Sequence, residues 1–419
     1  MTVAKSFARE RIRYTAMVLS CSVHPPLIQV SNMSENAGFH PQNDELSIRT
    51  IYVAAKHVVQ AVIVLSCLAI CVPPGVTQAK AQSTEYEIIN LGEDYVPSAL
   101  SNRGVVVGQH SSVSAGNVRG FYWRDNRLTY VEPLEDDTYC EIRAVNDKGV
   151  ALCLSSRELR PSHAYFLWNA GKTTRIEPPE NYEVIDATAI NSRGDVVGIV
   201  RKSVQTPGFT VNKPPERAFM FRQGKTSLLP SLNESGDSGA YDINDKGQII
   251  GYDTAKDGRT VYAALWENGT VRAVKAPKSL RVEAVRINNS GQTVVLVYSN
   301  TPGFLRAETG YFLSSKDSFQ TINGPKEYVG HTVESLNDKG EILFRSNKRP
   351  SEFGGQPQFH WLWRKNAVVQ MDDTLLAGNP DWAGLHVAGM NNKGELVGTA
   401  FYKERWHGVL LKPKNRKSK

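Results

Sequence analysis

Residues 243–251 read Ile-Asn-Asp-Lys-Gly-Gln-Ile-Ile-Gly, a polar turn between two apolar runs. A related turn followed by an apolar run occurs seven times along the 419-residue chain, and it ends at Gly104, Gly149, Gly194, Gly247, Gly291, Gly340 and Gly394. These glycines are separated by 45, 45, 53, 44, 49 and 54 residues. A period in this range indicates a repeat architecture.

The copy around residue 244 shows what one repeat contains. Its pattern predicts four short strands at 241–243, 248–252, 261–266 and 271–274. Asn244 can bond the backbone ahead of it, and Gly247 tolerates the left-handed conformation that follows a type I turn. Asn268-Gly269 predicts the second hairpin. Four strands joined as an up-and-down meander make one blade of a β-propeller.

The predicted third strands share a pair of bulky residues two positions apart. The pairs are Phe121/Trp123, Phe166/Trp168, Phe219/Phe221, Trp361/Trp363 and the weaker Ala264/Trp266, Phe312/Ser314 and Val409/Leu411. A spacing of two places both side chains on one face of a strand. Because the pattern recurs in every repeat, we interpret it as packing between neighbouring blades rather than as a row for stacking carbohydrate.

The two ends of the repeat region are complementary. The last repeat has predicted strands at 387–390, 395–401 and 406–411 but no fourth strand, whereas the segment 86–91 precedes the first repeat without a partner. Pairing this segment with the last repeat would remove two exposed edges. The sequence therefore predicts an all-β, seven-bladed β-propeller of four-stranded antiparallel blades, closed by an N-terminal strand in the last blade.

The repeat also resembles a known family. Ile190-Asn-Ser-Arg-Gly-Asp-Val-Val-Gly198 with Arg217-Ala-Phe-Met-Phe221, and Ile243–Gly251 with Ala264-Leu-Trp-Glu-Asn-Gly269, resemble the HAF-type probable extracellular repeat of bacterial exported proteins. The resemblance covers essentially all of residues 86–411 and is weakest in the fifth repeat. It implies export and a repeated β module, and it implies no catalytic or binding residue.

The N-terminal region has the features of an export signal. Lys56-His57 precede an apolar stretch from Val58 to Val72, and helix-breaking residues and Ala79-Lys80-Ala81 follow. A basic flank, a 15-residue apolar segment and a small-x-small site are typical of a secretory signal peptide. An uncleaved membrane anchor is the alternative, although a span needs about 20 residues. We expect a secreted, periplasmic or cell-surface bacterial protein.

Four segments follow from this interpretation. They are a non-globular leader at 1–57, whose start codon we interpret as assigned too early, the signal peptide at 58–81, the propeller at 82–411 and a basic tail at 412–419.

Cys140 and Cys153 lie on either side of the Asn146–Gly149 turn. If that turn closes a hairpin, the two sulfurs are on adjacent strands about one residue pair out of register, a diagonal geometry unfavourable to a disulfide. An oxidising compartment favours one. The sequence leaves a Cys140–Cys153 disulfide open.

The candidate binding residues are basic and lie in the loops of variable length. In a meander blade the Asn-x-x-Gly turns emerge on one side of the ring, and the second-to-third loops and the connections between blades emerge on the other. Loops on a rigid scaffold bear function more often than tight turns do. The basic residues there are Arg201, Lys202, Lys213, Lys256, Arg259, Lys348 and Arg349, and an anionic glycan is the partner they suggest.

The turn residues Asn146, Gly149, Asn191, Gly194, Asn244, Gly247, Asn337, Gly340, Asn391 and Gly394 are interpreted as structural.

No established catalytic or cofactor motif was found. The nine histidines are scattered singly, and no zinc spacing, phosphate loop or dinucleotide fingerprint occurs. A net charge of +7 without a concentrated basic stripe argues against nucleic acid. We therefore expect no cofactor or metal, a monomer, and membrane contact only through an uncleaved signal segment.

Two functions are compatible with these observations. The first is a non-catalytic binding or scaffold propeller that contacts a surface protein or glycan. The second is a hydrolase or lyase that acts on extracellular polysaccharide. Acidic side chains or a His–Tyr pair that converge at the mouth of the central channel of the propeller would favour the enzyme function. A channel lined by small apolar residues such as Ala99, Ala144 and Ala189 would favour the binding function. The first strands supply mostly small residues, with Asp242, Arg286 and Glu334 as exceptions, so the sequence favours binding.

The signal peptide can be tested directly. Expression of the full chain in a bacterium with a general secretory pathway is expected to yield a mature protein that starts at Gln82, because small residues at 79 and 81 define the cleavage site. N-terminal sequencing measures this, and Ala81→Phe should block the cut. A mature protein that keeps residues 58–81 contradicts the prediction.

Overall fold

The structure is a computed structural model, and all of its described residues belong to one unit, Thr77–Lys419. It describes residues 86–111, 117–157, 163–203, 214–274, 276, 281–298, 308–315, 318–322, 328–348, 358–365, 367–371, 376 and 379–414. For 308–313, 315, 328–331, 347 and 348 only the backbone is described. The predicted leader and signal peptide lie outside these residues. Within them, no helix has the length and apolar character needed to cross a membrane.

Twenty-eight strands are found in the described residues, and short turns or loops connect them. The strands are β1 Tyr86–Glu93, β2 Tyr95–Leu100, β3 Val106–Ser111, β4 Val118–Arg124, β5 Arg127–Val131, β6 Tyr139–Val145, β7 Ala151–Ser156, β8 His163–Asn169, β9 Lys172–Arg175, β10 Tyr182–Ile190, β11 Val196–Lys202, β12 Glu216–Arg222, β13 Lys225–Leu228, β14 Ser238–Ile243, β15 Ile249–Thr254, β16 Val261–Glu267, β17 Thr270–Ala273, β18 Val282–Ile287, β19 Thr293–Tyr298, β20 Glu308–Ser315, β21 Ser318–Ile322, β22 Tyr328–Leu336, β23 Ile342–Lys348, β24 Gln358–Arg364, β25 Ala367–Gln370, β26 Trp382–Met390, β27 Leu396–Tyr402 and β28 Arg405–Pro413.

The strands form antiparallel meanders arranged as a β-propeller. Five sheets have four strands each, and one has eight because a single parallel pair, Val118 with Tyr139, joins β4 to β6. We call β2, β6, β10, β14, β18, β22 and β26 the first strands. Each first strand contacts the next, and β26 contacts β2, so their order is closed. The fourth strands are the outermost, as the exposed residues of β9 illustrate.

The predicted closure by an N-terminal strand is confirmed. β1 pairs antiparallel with β28 and completes the sheet β1-β28-β27-β26. Ile88 is opposite Leu411 and Ile89 is opposite Leu410, with an irregularity between Asn90 and Gly92. The last sheet is thus assembled from both ends of the described chain, and two strand edges are paired rather than exposed.

The seven turns have one geometry. All seven turn glycines have φ between 75° and 86°, the left-handed region that glycine adopts without strain. In the turn at Asn244, the side-chain Oδ1 accepts hydrogen bonds from the backbone N–H groups of Lys246 and Gln248, 3.1 and 3.0 Å away. Asn146, Asn191, Asn288, Asn337 and Asn391 accept the equivalent pairs, and Ser101 accepts one from Val105. The structural interpretation of these residues is consistent with this geometry.

The same asparagines also connect each turn to the next one. Asn244 Nδ2 donates to the Asn288 carbonyl at 3.0 Å, and Asn146, Asn191 and Asn288 do the same to the turn that follows each of them. The remaining steps are made by Asn102 N–H to Asp147, Asp338 N–H to Asn392, and Asn391 Nδ2 to the Ser101 carbonyl at 3.1 Å. The last of these bonds links residues 290 positions apart and closes the series. We call this closed series the turn ring.

A β-bulge interrupts every first strand three residues before its turn. The bulged residues are Ser98, Arg143, Thr188, Tyr241, Val285, Glu334 and Ala388. The bulge brings the first strand very close to the second, so that a Cβ on Gly251 would lie 1.9 Å from the Gly239 carbonyl oxygen. Gly108, Gly198 and Gly398 have the same close approach. This explains why the apolar run after a turn so often ends in glycine.

The bulky pairs of the third strands pack between neighbouring sheets, as predicted. Phe219 and Phe221 are buried against Leu152 and Leu154 of the preceding sheet. The members Phe121, Phe166, Trp266, Trp361, Trp363, Val409 and Leu411 are buried as well. The side chain of Phe312 lies outside the described part of the structure.

Both cysteines are free thiols, so the disulfide left open by the sequence is not formed in the structure. Cys140 is opposite Ser155 and Cys153 is opposite Ile142 on β6 and β7, which is the expected diagonal placement. Both side chains are completely buried. Burial, and then the neighbouring Cys140 thiol, raise the pKa of Cys153 well above its ordinary value.

The turn ring predicts an unequal response of two neighbouring positions. Asn244→Ala should lower the free energy of unfolding by about 2–4 kcal/mol, because buried backbone groups lose their partners. Lys246→Ala changes an exposed residue of the same turn and should cost less than about 0.5 kcal/mol. Urea denaturation measures both. Equal effects would contradict a structural role for the asparagine.

The cysteines are predicted to be unreactive until the protein unfolds. Without reductant, neither Cys140 nor Cys153 should be alkylated in the native state, because both are buried and a thiol reacts as its thiolate. In denaturant both should be alkylated, and peptide mass spectrometry measures this. If both stayed unmodified in denaturant until a reductant was added, the free-thiol state would be wrong.

Candidate binding site

The side of the sheets opposite the turn ring is the candidate functional side, and we call it the loop face. First strands begin there, second strands end there, and the connections between successive sheets lie there. These connections vary in length, whereas the turn ring repeats one geometry. A site on this face can therefore change without disturbing the contacts that close the turn ring.

At five junctions between neighbouring first strands, a polar side chain of one strand bonds the backbone of the next. Thr188 Oγ1 donates to the Ala240 carbonyl at 3.0 Å, and Ser335 Oγ donates to the Met390 carbonyl at 3.1 Å. Asp242 accepts from the Ile287 N–H at 3.0 Å, and Arg286 Nε donates to the Glu334 carbonyl at 3.1 Å. Ser98 donates to the Ile142 carbonyl. The charged exceptions Asp242 and Arg286 thus join neighbouring sheets.

The junction between β6 and β10 differs from these, because an ion pair between two side chains forms it. Arg143 Nη1 lies 2.5 Å from Asp186 Oδ1, and the two side chains are 33% and 38% exposed. The Tyr165 hydroxyl donates to the same Asp186 oxygen at 3.0 Å, and its ring lies beneath the guanidinium, 5.7 Å from Arg143 Cζ. This contact joins two side chains, whereas the contacts at the other junctions end on backbone atoms.

Three more polar residues extend this contact. Glu141 Oε2 lies 3.7 Å from Arg143 Nε, and it accepts a hydrogen bond from the Tyr139 hydroxyl at 3.3 Å. The Tyr139 hydroxyl also lies within hydrogen-bond distance of Gln109 Oε1 on β3, so Gln109 Oε1 and Glu141 Oε2 share its single proton. We call Gln109, Tyr139, Glu141, Arg143, Tyr165 and Asp186 the Arg143 network. It brings together four strands of three repeats near the start of β6.

Burial and charge set the protonation of the network. Burial, followed by the Glu141 carboxylate, raises the pKa of Tyr139 above its usual range. Burial and then Asp186 do the same to the pKa of Tyr165. Burial alone would lower the pKa of Arg143, but Asp186 and the other neighbours hold it above its ordinary value. The phenols therefore stay neutral donors and the arginine stays charged across the physiological range.

A second polar cluster lies at the start of β18, around a buried carboxylate. Arg281 Nη2 lies 2.5 Å from Glu283 Oε1, and the Glu283 side chain is only 5% exposed. The Tyr298 hydroxyl donates to Glu283 at 3.4 Å, and burial first, then Glu283, raise the pKa of the neighbouring Tyr241. Burial also raises the pKa of Asp242. The Glu283 carboxylate is buried whereas Arg281 is exposed, so the acid of this cluster is less accessible than Asp186 in the junction between β6 and β10.

Of the seven predicted basic residues, the structure describes the side chains of four. Arg201, near the end of β11, lies 3.1 Å from Glu183 and 3.8 Å from Glu216, so two acids offset its charge. Lys202 ends the same strand and is exposed, and Lys256 and Arg259 are exposed between β15 and β16. Lys348 ends β23 with its side chain undescribed, and Lys213 and Arg349 lie outside the described residues.

Sequence reasoning did not find the Arg143 network. Its members come from repeats 1, 2 and 3, and no local spacing joins Gln109 to Asp186. One signal was present, since Arg143 interrupts the apolar run Ile142–Val145. No group of three or more metal-ligating side chains suited to a metal ion occurs in the described part of the chain.

Comparison with known proteins gives no family. No family model and no curated protein matches the chain. The β-propeller domain of the Trilobed protease from Pyrococcus furiosus is similar in fold, with 10% identity and a TM-score of 0.48 over 77% of this chain and 95% of that chain. The acylaminoacyl peptidase of Pyrococcus horikoshii has 11% identity and a TM-score of 0.49 over 76% of this chain, which spans about half (51%) of its length. An oligogalacturonate lyase in complex with manganese has 10% identity and a TM-score of 0.44 over 79% of this chain and 99% of that chain. These similarities concern the fold alone.

The Arg143–Asp186 contact predicts a measurable coupling. A double-mutant cycle with Arg143→Gln and Asp186→Asn should give an interaction energy of about 1 kcal/mol, because the pair is only partly exposed. The control pair Arg175 and Glu177, 45% and 72% exposed, should give about 0.3 kcal/mol or less. Chemical denaturation of the four variants of each cycle measures this. Equal coupling in both cycles would mean that the contact is absent in solution.

Proposed function

We propose that the chain is an exported, seven-bladed propeller of the HAF-repeat type, which binds an extracellular or cell-surface partner, a protein or a glycan, through its loop face. The export signal and the family resemblance come from residues 58–81 and from the repeated turn motif. Seven turns in one hydrogen-bonded series, and seven first strands in closed order, support the number of blades.

The pairing of the acids favours binding over catalysis. On the described first strands, Glu141 and Asp186 pair with Arg143, Glu183 pairs with Arg201, Glu283 with Arg281 and Glu334 with Arg345. A guanidinium lies against each of these carboxylates, whereas a catalytic carboxyl must be able to contact the substrate. The remaining acid, Asp242, is half-buried and accepts from two backbone N–H groups, and burial raises its pKa.

The alternative function is a propeller hydrolase or lyase that acts on extracellular polysaccharide. It would need an acid or base free of such pairing and within reach of a substrate. The Arg143 network supplies donors and acceptors in fixed positions, which suits recognition. We therefore prefer a non-catalytic binding propeller.

The two functions predict different outcomes with the same substrates. When the full-length chain is incubated with a panel of extracellular polysaccharides, at least one should retard it in affinity electrophoresis. No new reducing ends and no unsaturated uronate absorbance should appear, since the acids of the described first strands pair with arginines or with backbone N–H groups. Heat-denatured chain is the control. Product that accumulates with time in the native sample only would establish the enzyme instead.

A further inference from the structure

Four polar groups of the Arg143 network have no protein partner among the described residues. The contacts within the network use Arg143 Nη1 and Nε, Asp186 Oδ1, Glu141 Oε2 and Gln109 Oε1. This leaves Arg143 Nη2, Asp186 Oδ2, Glu141 Oε1 and Gln109 Nε2. Two of the four are donors and two are acceptors. They belong to partly exposed side chains, so a ligand can reach them without moving the backbone.

The positions of these groups are fixed by the residues around them. Tyr165 holds one Asp186 oxygen and supports the guanidinium of Arg143 with its ring. Tyr139 holds Gln109 and Glu141 in the same way. Both tyrosines stay protonated, so this arrangement persists at any physiological pH. A ligand would therefore meet groups that are already oriented, which lowers the entropic cost of binding.

The charges of the network disfavour an anionic ligand. Arg143 contributes +1 and the two carboxylates contribute −2, which leaves −1. A carboxylate or sulfate would meet this net negative charge, whereas an ammonium would be attracted by the two carboxylates and repelled by Arg143. A neutral hydroxyl meets no net repulsion and needs no compensating charge. It also donates and accepts at the same time, and so matches an adjacent donor and acceptor.

From these observations we infer that the Arg143 network is a subsite for a neutral saccharide, in which neighbouring ring hydroxyls bond Arg143 and Asp186 together. This inference rests on the proposed binding function and narrows its ligand to uncharged sugars. It differs from the anionic glycan suggested by the basic loop residues, because that glycan would be repelled here.

The test uses the full-length chain on an array with neutral hexose oligosaccharides, uronic acid oligosaccharides, sulfated oligosaccharides and chitosan oligomers. The chain should bind a neutral glycan most tightly. Arg143→Gln should weaken that binding by about tenfold to a hundredfold, as expected for loss of a hydrogen bond to a charged donor. Arg175→Gln is the matched control, since Arg175 on β9 also pairs with two acids, Glu135 and Glu177. It should bind as the unaltered chain does.

A change of charge makes the test independent of folding defects. The double variant Glu141→Gln, Asp186→Asn moves the network from −1 to +1 without a change of size. It should lose affinity for the neutral glycan and gain affinity for uronic acid oligosaccharides by about tenfold. A gain of function of this kind cannot come from an unfolded protein.

The outcomes separate this inference from the proposed function. If the chain prefers anionic or amino sugars, or binds a cell-surface protein only, the neutral-saccharide subsite is contradicted but the proposed binding function is not. Unchanged neutral-glycan binding by Arg143→Gln also overturns the subsite. If the chain binds no glycan on the array and no cell-surface protein, both the saccharide subsite and the proposed binding function are contradicted.

Discussion

At five of the seven turns, the side chain of one buried asparagine connects the turn to the next one. At Asn244, for example, Oδ1 closes the turn of its own hairpin and Nδ2 bonds the carbonyl of the next turn. A side chain that makes both kinds of bond orders the local turn and the neighbouring sheet at once. Because an unpaired polar group in the interior is costly, each turn also depends on the one beside it. The series ends with Asn391 bonded to Ser101, which brings the last repeat against the first.

Neighbouring first strands are also joined by side-chain contacts, which lie further from the turns. A side chain next to each of six junctions reaches the following first strand, and at five of the six the contact is made with backbone. At the sixth, Arg143 and Asp186 use side-chain atoms on both sides and leave other atoms of the same groups unpaired. A junction of this kind is held by contacts that remain accessible. It therefore combines the rigidity of the scaffold with groups that can bind.

Much of the fold could be predicted because its determinants are local and repeated. The turn at Asn244 and Gly247 recurs with its chemistry intact, and the strand 86–91 lacks a partner that only the last repeat could supply. Other features depend on tertiary geometry. The first strands are longer than predicted, for example Ser238–Ile243 instead of 241–243, because the bulge at Tyr241 disrupts the two-residue alternation that marks a strand. The network was not predictable, because Gln109, Arg143 and Asp186 meet only once three repeats are packed.

The closure of the sheets by β1 is the central claim, and hydrogen–deuterium exchange of the full chain tests it most directly. Alternate backbone amides within residues 86–90 should be protected from exchange, because β1 is an edge strand that pairs with β28 on one side only, and residues 409–411 should all be protected, because β28 is paired on both sides. Fast exchange at every amide of residues 86–90 beside slow exchange at 409–411 would show that the N-terminal strand is not part of the last sheet, and the account of the fold would be contradicted.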